Sequence, residues 1–364
     1  LRYWATEMHV DGFRFDLASV LARGEKGEVL ENPPILWSIE SDPMLAGTKL
    51  IAEAWDAAGL YQVGSFVGDR FAEWNGQFRD DVRQFVKGDR GTVKKMSERI
   101  SASPDLYLDP DRDPNRSINL VTCHDGFTLN DLVSYNEKHN EANGEDNRDG
   151  ASVNYSWNCG EEGPTTNPEV ERLRLKQIKN FFVILFVSQG TPMVSMGDEV
   201  RRTQNGNNNA YCQDNEMSWF DWALVEKNAG LLRFVRGLID FTQTLHIFRE
   251  DRFWIAPCRG CPPHITWHGV RQGSPDWGED SHTLAFTLKH NKTTELVHVI
   301  LNAFWQPLQF ELPPLPNEFK WTRIIDTSKE SPEDYCPVGS GSRINGNVYH
   351  AEARSSVILL SQRV

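Results

Sequence analysis

The chain has 364 residues, 39% hydrophobic and 24% charged, with a net charge of −13, enough length for one large domain and a smaller one, each with its own core. That acidity repels nucleic-acid backbones and anionic membranes and suits a neutral partner such as a polysaccharide, and no run approaches the ~18 consecutive apolar residues of a membrane span. Six scattered cysteines (Cys123, Cys159, Cys212, Cys258, Cys261, Cys336) lack the dense framework of a small secreted scaffold and point to a reducing compartment.

In chain order, short strand patterns alternate with helical ones over the first ~250 residues, which predicts βα units and a parallel sheet. The first strand is GFRFD, residues 12 to 16. Its alternation puts Arg14 and Asp16 on one side and Phe13 and Phe15 on the other. In a barrel strand the phenylalanines pack under outer helices while the Arg/Asp pair points inward near the C-terminal end, where barrel active sites lie. An Arg beside a carboxylate lowers its pKa and keeps it ionised, as a nucleophile must be.

The second strand, KLIAE at 49 to 53, delivers Glu53 at its C-terminal end, followed by Trp55 and Asp56. Two carboxyl groups about 5 Å apart, one attacking and one protonating the leaving oxygen, are what retaining glycoside hydrolysis requires. A weaker strand is expected near Trp74 to Phe78. INLVTCHD, 118 to 125, ends in His124 and Asp125 before a turn glycine, and both reach one site only where strand has given way to loop. Asn167 and Pro168 supply the N-cap and first residue of a long helix through EVERLRLKQIKNFFVILFVSQ, with Gly190 as its stop. TPMVSMG, 191 to 197, is the last parallel strand, and a further helix covers about Ala229 to Phe248.

From Pro262 onward HITWHGV, TLAFTL, ELVHVILNAF, KWTRIID and SSVILLS are short, β-rich and separated by turns, predicting a small antiparallel β-sandwich. The expected division is a barrel domain over 1–255 and a sandwich over 256–364. Five βα strands are counted where a closed (β/α)₈ barrel has eight, so the chain reads as the C-terminal part of such a barrel, about strands 4 to 8, lacking the earlier ones. Cys258 and Cys261 form a CxxC with His264 and His268 after it, but a Pro-rich linker without a second CxxC argues against zinc, and no metal or cofactor is expected.

Taken together, GFRFD, IAEAW and CHDG, in that order and at strand ends, resemble the nucleophile, acid/base and transition-state-stabiliser regions of the α-amylase clan of glycoside hydrolases. LYQVGSF, AEWNGQFRDDVRQF, HDGFTLNDLVSYNEKHN and NAYCQDNEMSWFDW are similar to the isoamylase and glycogen-debranching branch. The resemblance implies Asp16 as nucleophile, Glu53 as acid/base and Asp125 as stabiliser, with Arg14 and His124 in the subsite of the reacting glucose. It implies retaining hydrolysis of α-1,6 branch linkages in glycogen, amylopectin or limit dextrin, in the cytoplasm or plastid stroma. The alternatives are an α-1,4-acting hydrolase or transglycosylase of the same clan, or a non-catalytic glucan-binding fragment. Around the acids, Trp55, Trp74 and Trp157 are candidate stacking platforms. The polar loops 146 to 154 and 204 to 214, with Asn208 and Asp214, are candidate hydroxyl binders.

Overall fold

The computed structural model describes residues 1–108, 113–255, 264–290 and 292–364. Five short strands, β1 (Gly12–Phe15), β2 (Lys49–Ala52), β3 (Phe71–Asn75), β4 (Ser117–Leu120) and β5 (Thr191–Met193), form a parallel sheet in sequential order. The sheet is open, with β1 and β5 at its edges. The first two strands end one residue before the expected Asp16 and Glu53, and three others differ by more. The strand near Trp74 begins earlier and stops at Asn75, because Asn75 caps the helix Gly76–Lys87 by accepting from the Phe78 N–H at 2.8 Å. The strands leading to His124 and to Gly197 stop at Leu120 and Met193.

The long helix is Pro168–Val187, with the Asn167 side chain accepting from the Glu169 N–H at 3.1 Å. It ends before Gly190. Its C-terminal third is apolar on every face (Phe181 to Val187 are all buried) because it lies between two layers. Beyond it, Ala229–Thr244 is helical, followed by a 3₁₀ turn, His246–Arg249.

The C-terminal part is antiparallel. Strands β6 (Ile265–His268), β7 (Thr283–Lys289), β8 (Leu296–Asn302), β10 (Phe319–Asp326), β11 (Ser342–Arg343) and β13 (Ser355–Arg363) form one sheet in the order β11-β10-β13-β8-β7-β6. A pair that sequence patterning missed, β9 (Leu308–Glu311) and β12 (Val348–Ala351), makes the second layer. Alternation decides which side chains meet which layer. Leu284, Phe286 and Leu288 share a core with Phe182 and Phe234 of the two helices, while Ala285 and Ile300 pack with Phe310 and Tyr349.

The first of these cores runs without a break from the helices beside the parallel sheet into the antiparallel strands. Buried charge also bridges the layers: Asp334 takes the Lys179 ammonium at 2.7 Å and the Arg233 guanidinium, with Lys179 and Asp334 almost wholly enclosed. Asp334→Ala strands the buried Lys179 charge and is expected to cost ~3–5 kcal/mol, read as a lowered urea midpoint with an unchanged slope. A midpoint within error of the parent would show that this pair does not hold the layers together.

Candidate active site

Strand ends place the acids. Asp16 and Glu53 each follow the last residue of adjacent parallel strands, and Phe15 pairs with Ala52 in register. Parallel register therefore brings the two carboxyl groups side by side at the C-terminal edge of the sheet. One carboxylate oxygen from each, with a ring nitrogen of His124, lies within 4.8 Å of the others. Arg14, on the same face of β1 as Asp16, sits between the acids, 2.5 Å from Asp16 and 2.9 Å from Glu53. Two acids and an imidazole have the composition of a cation site, but the guanidinium already fills the space between the carboxylates and would repel one.

The backbone bends sharply to make this arrangement. Leu17 adopts φ 43, in the left-handed region that a β-carbon disfavours. The turn aims the Leu17 N–H at Glu53 Oε2, 2.8 Å away, and the Ala18 N–H at the Glu53 carbonyl.

The two acids have opposite environments. Asp16 is 63% exposed and Glu53 is 1% exposed at the side chain. Burial pushes the Glu53 carboxyl above its ordinary value of 4.5, and the Asp16 charge adds to this against the Leu17 hydrogen bond and Arg14. For Asp16 the slight burial works upward, but the Arg14 hydrogen bond and charge outweigh it and hold the carboxyl below 3.8. Two neighbouring carboxyl groups pushed apart in this way favour one protonated and one ionised group over the same pH range. Glu53 Oε1 has no hydrogen-bond partner and is enclosed, which leaves it as the oxygen to carry the proton.

His124 and Asp125 lie in loop, four and five residues past the end of β4, so both can face the same opening. His124 Nε2 is 3.5 Å from Asp16 and 3.7 Å from Asp125. This loop is held from below by two residues that sequence patterning did not single out. Buried Arg83, on the helix Gly76–Lys87, donates to the Val121 carbonyl at 2.9 and 2.6 Å and to the Asn154 carbonyl at 3.1 Å. Buried Asp198 accepts from the Thr122 hydroxyl and, at 3.0 Å, from the Leu129 N–H, so it ties both ends of the loop. Asp198→Ala leaves those two buried donors unpaired. It is expected to cut kcat up to about 100-fold by displacing the loop, with KM changed much less; an unchanged kcat would exclude this role.

The aromatic residues divide. Trp74 is buried beneath the site: the Arg14 guanidinium lies 4.0 Å above its ring and His124 packs 5.7 Å away. It supports those two side chains and has little face left for sugar. Trp55 is half-buried and stacks on Tyr61, centroids 6.1 Å apart at 9°, and half of Tyr61 is exposed. Tyr61 lies in the LYQVGSF segment, whose pattern did not mark it as a partner of Trp55. Trp157 is covered by Arg354 at 4.4 Å, joining the loops of the parallel-sheet part to the antiparallel part.

The polar loops are knitted to each other. Asn208 is 1% exposed, its amide donating to Ala151 and Asn154 and accepting from Asn140, while its carbonyl accepts from the Gly126 N–H next to Asp125. It holds the loop and offers no free group. Asp214 is exposed and accepts the Trp219 indole N–H at 3.0 Å. Of the CxxC group, Cys258 and Cys261 lie outside the described residues, and both ring nitrogens of His268 are taken by Thr287 and the Gly273 N–H.

Comparison with known proteins places the chain among relatives of stated name. Residues 266–359 match the family model "Isoamylase 1-3, C-terminal". The chain is 44% identical to "Isoamylase SU1, chloroplastic" of Zea mays, over 99% of this chain and 48% of that protein. It is 55% identical to the "Glycogen operon protein GlgX homolog" of Mycobacterium bovis, over 90% of this chain and 48% of that one. It is 38% identical to the "Glycogen debranching enzyme" of Pectobacterium atrosepticum, over all of this chain and 51% of that one. The chain thus spans about half the length of these relatives. Among solved structures it superposes on pullulanase from Bacillus acidopullulyticus with a TM-score of 0.67 at 22% identity, covering 98% of this chain and 38% of that one, a likeness of fold. No helix among the described residues is long and apolar enough to cross a membrane.

Proposed function

From the premise that this chain is a homologue of isoamylases and glycogen debranching enzymes over essentially its whole length, we propose that it carries the catalytic acids of a retaining hydrolase for α-1,6 branch linkages of glycogen- or amylopectin-type glucans. The observation that carries the reading is the pair Asp16 and Glu53, with carboxylate oxygens within 4.8 Å of each other and pKa values driven apart. That spacing suits a retaining mechanism, which needs about 5 Å, and leaves no room for the water of an inverting one.

In the first step Asp16 attacks C1 of the α-linked glucose. The bond from C1 to the O6 of the branch-point residue breaks, and that oxygen takes the Glu53 proton. Glu53 then removes a proton from water, which attacks C1 and releases Asp16, restoring the α configuration. Since Oε1 is enclosed, its carboxyl group turns toward the opening above Asp16 as substrate enters. His124 and Asp125 hydrogen-bond ring hydroxyls as charge builds on the sugar, and Arg14 keeps Asp16 ionised. The exposed Tyr61 on Trp55 supplies an aromatic face for a glucan chain.

We place the five parallel strands as consecutive members of an eight-stranded barrel, residues 1–255, with the sandwich over 256–364 as its C-terminal partner, in a cytoplasmic or plastid setting. The four described cysteines are all unpaired, in keeping with a reducing compartment. The test is reducing-end release from amylopectin, set against maltoheptaose. Release from amylopectin with little from the linear chain is expected. Comparable turnover of maltoheptaose would overturn the α-1,6 assignment.

A further inference from the structure

Away from the two acids, a cleft of about 250 Å³ opens between the helix start at Pro168, the segment after the catalytic loop, and residues 201 to 228. That is below the ~300–1,000 Å³ of typical small-molecule pockets, so it suits a ligand of one sugar residue.

Its charge is unusual for this molecule. In a chain of net charge −13, the lining holds Arg174, Arg201 and Lys227 against one carboxylate, Glu171. Glu171 is spent on its neighbours, one oxygen 3.2 Å from Arg174 and the other 2.9 Å from Arg201. Arg174 is 1% exposed and donates to backbone carbonyls, so it contributes charge without free donors. Lys227 is exposed and has no ion pair or hydrogen bond among the described residues, and Arg201 Nη2 is likewise unbonded. A cationic surplus with free N–H groups recognises a phosphate dianion.

The remaining walls are suited to hydroxyls. Tyr135 is 7% exposed, and its phenol has no hydrogen-bond partner among the described residues. The side-chain amide of Asn205 is also unpaired at the rim, where only its backbone N–H is bonded. The Tyr135 ring is buried while its hydroxyl reaches the cleft, where it can donate to and accept from what enters.

We propose that this cleft binds a glucosyl phosphate monoester, the phosphate held by Arg201 and Lys227 and the sugar hydroxyls by Tyr135 and Asn205. The ester can be a free hexose phosphate or a phosphorylated glucose within a glucan chain. The site is separate from the reading of Asp16 and Glu53 and stands or falls independently of it.

Calorimetric titration of the full chain at low salt with glucose 6-phosphate, glucose, inorganic phosphate and a 6-phosphorylated maltooligosaccharide tests it. Saturable binding of the esters is expected, with glucose and phosphate each bound more weakly. Lys227→Met and Arg201→Gln should each weaken glucose 6-phosphate by about tenfold or more, at an unchanged melting temperature for the exposed Lys227→Met. Tighter binding of the phosphorylated oligosaccharide identifies the glucan as source, and equal or weaker binding identifies the free hexose phosphate. The proposal is overturned by an absence of saturable ester binding, by glucose or inorganic phosphate binding as tightly as the ester, or by unaltered affinity in Lys227→Met.

Discussion

Asp16→Asn is expected to lower reducing-end release from amylopectin by at least about 10⁴-fold, since it removes the proposed nucleophile and not an assisting group. Asn is isosteric and can still face Arg14, so the fold should be retained; Asp16 is largely exposed and supports no core. Binding of a branched dextrin should survive within a few-fold, because the hydroxyl contacts assigned to His124 and Asp125 remain. An Asp16→Asn protein that keeps more than a tenth of parental turnover would refute the covalent mechanism. One that loses turnover and near-ultraviolet circular dichroism together would mean that the Arg14 pairing is structural.

Glu53→Gln is expected to cost about 10²–10⁴-fold in kcat, the range for removing a positioned general acid, and also to change the shape of the pH profile. The parent needs Asp16 ionised and Glu53 protonated. Its acid limb therefore falls below pH 3.8, where Asp16 is held down by Arg14, and its alkaline limb lies above 4.5, where burial has raised Glu53. In Glu53→Gln the alkaline limb should vanish. Stability gives an independent readout. A carboxyl whose folded pKa is raised binds its proton more tightly in the native state, so that its contribution to stability is full at low pH and is lost as pH rises through the folded value. Gln has no such loss, and Glu53→Gln should gain melting temperature relative to the parent as pH rises above 4.5. A parallel pH dependence of the two proteins would show that Glu53 is not the group whose pKa is raised.

Arg14 and Trp74 show how far local pattern reaches. Period-two alternation was sufficient to put Arg14 beside Asp16, and the structure finds them 2.5 Å apart. Nothing local indicated that Trp74, two strands away in the sheet, would lie under that guanidinium. Asn208 was legible as a polar loop residue, but whether its amide faced sugar or the Asn140 and Asn154 side chains depended on how two loops, 54 and 68 residues away in sequence, came together. Arg83 and Asp198 were not singled out for a related reason: a charged residue among other charged residues, as in RDDVRQ and GDEVRR, reads as solvated until its carbonyl or hydroxyl partner is known.

What the sequence determined by itself was periodic or local: the strands that lead into Asp16 and Glu53, the Asn167 cap with Pro168 after it, and the change from parallel to antiparallel strand patterns along the chain. Side-chain alternation and capping act over a few residues and so can be read from a few residues. Tertiary structure alone decided that Glu53 is buried while Asp16 is open, that Arg14 bridges them, and that Leu17 turns left-handed to reach Glu53. Those features set which acid holds a proton, and they arise from the register of one strand against another, since desolvation and Coulomb terms depend on distance in space and not along the chain.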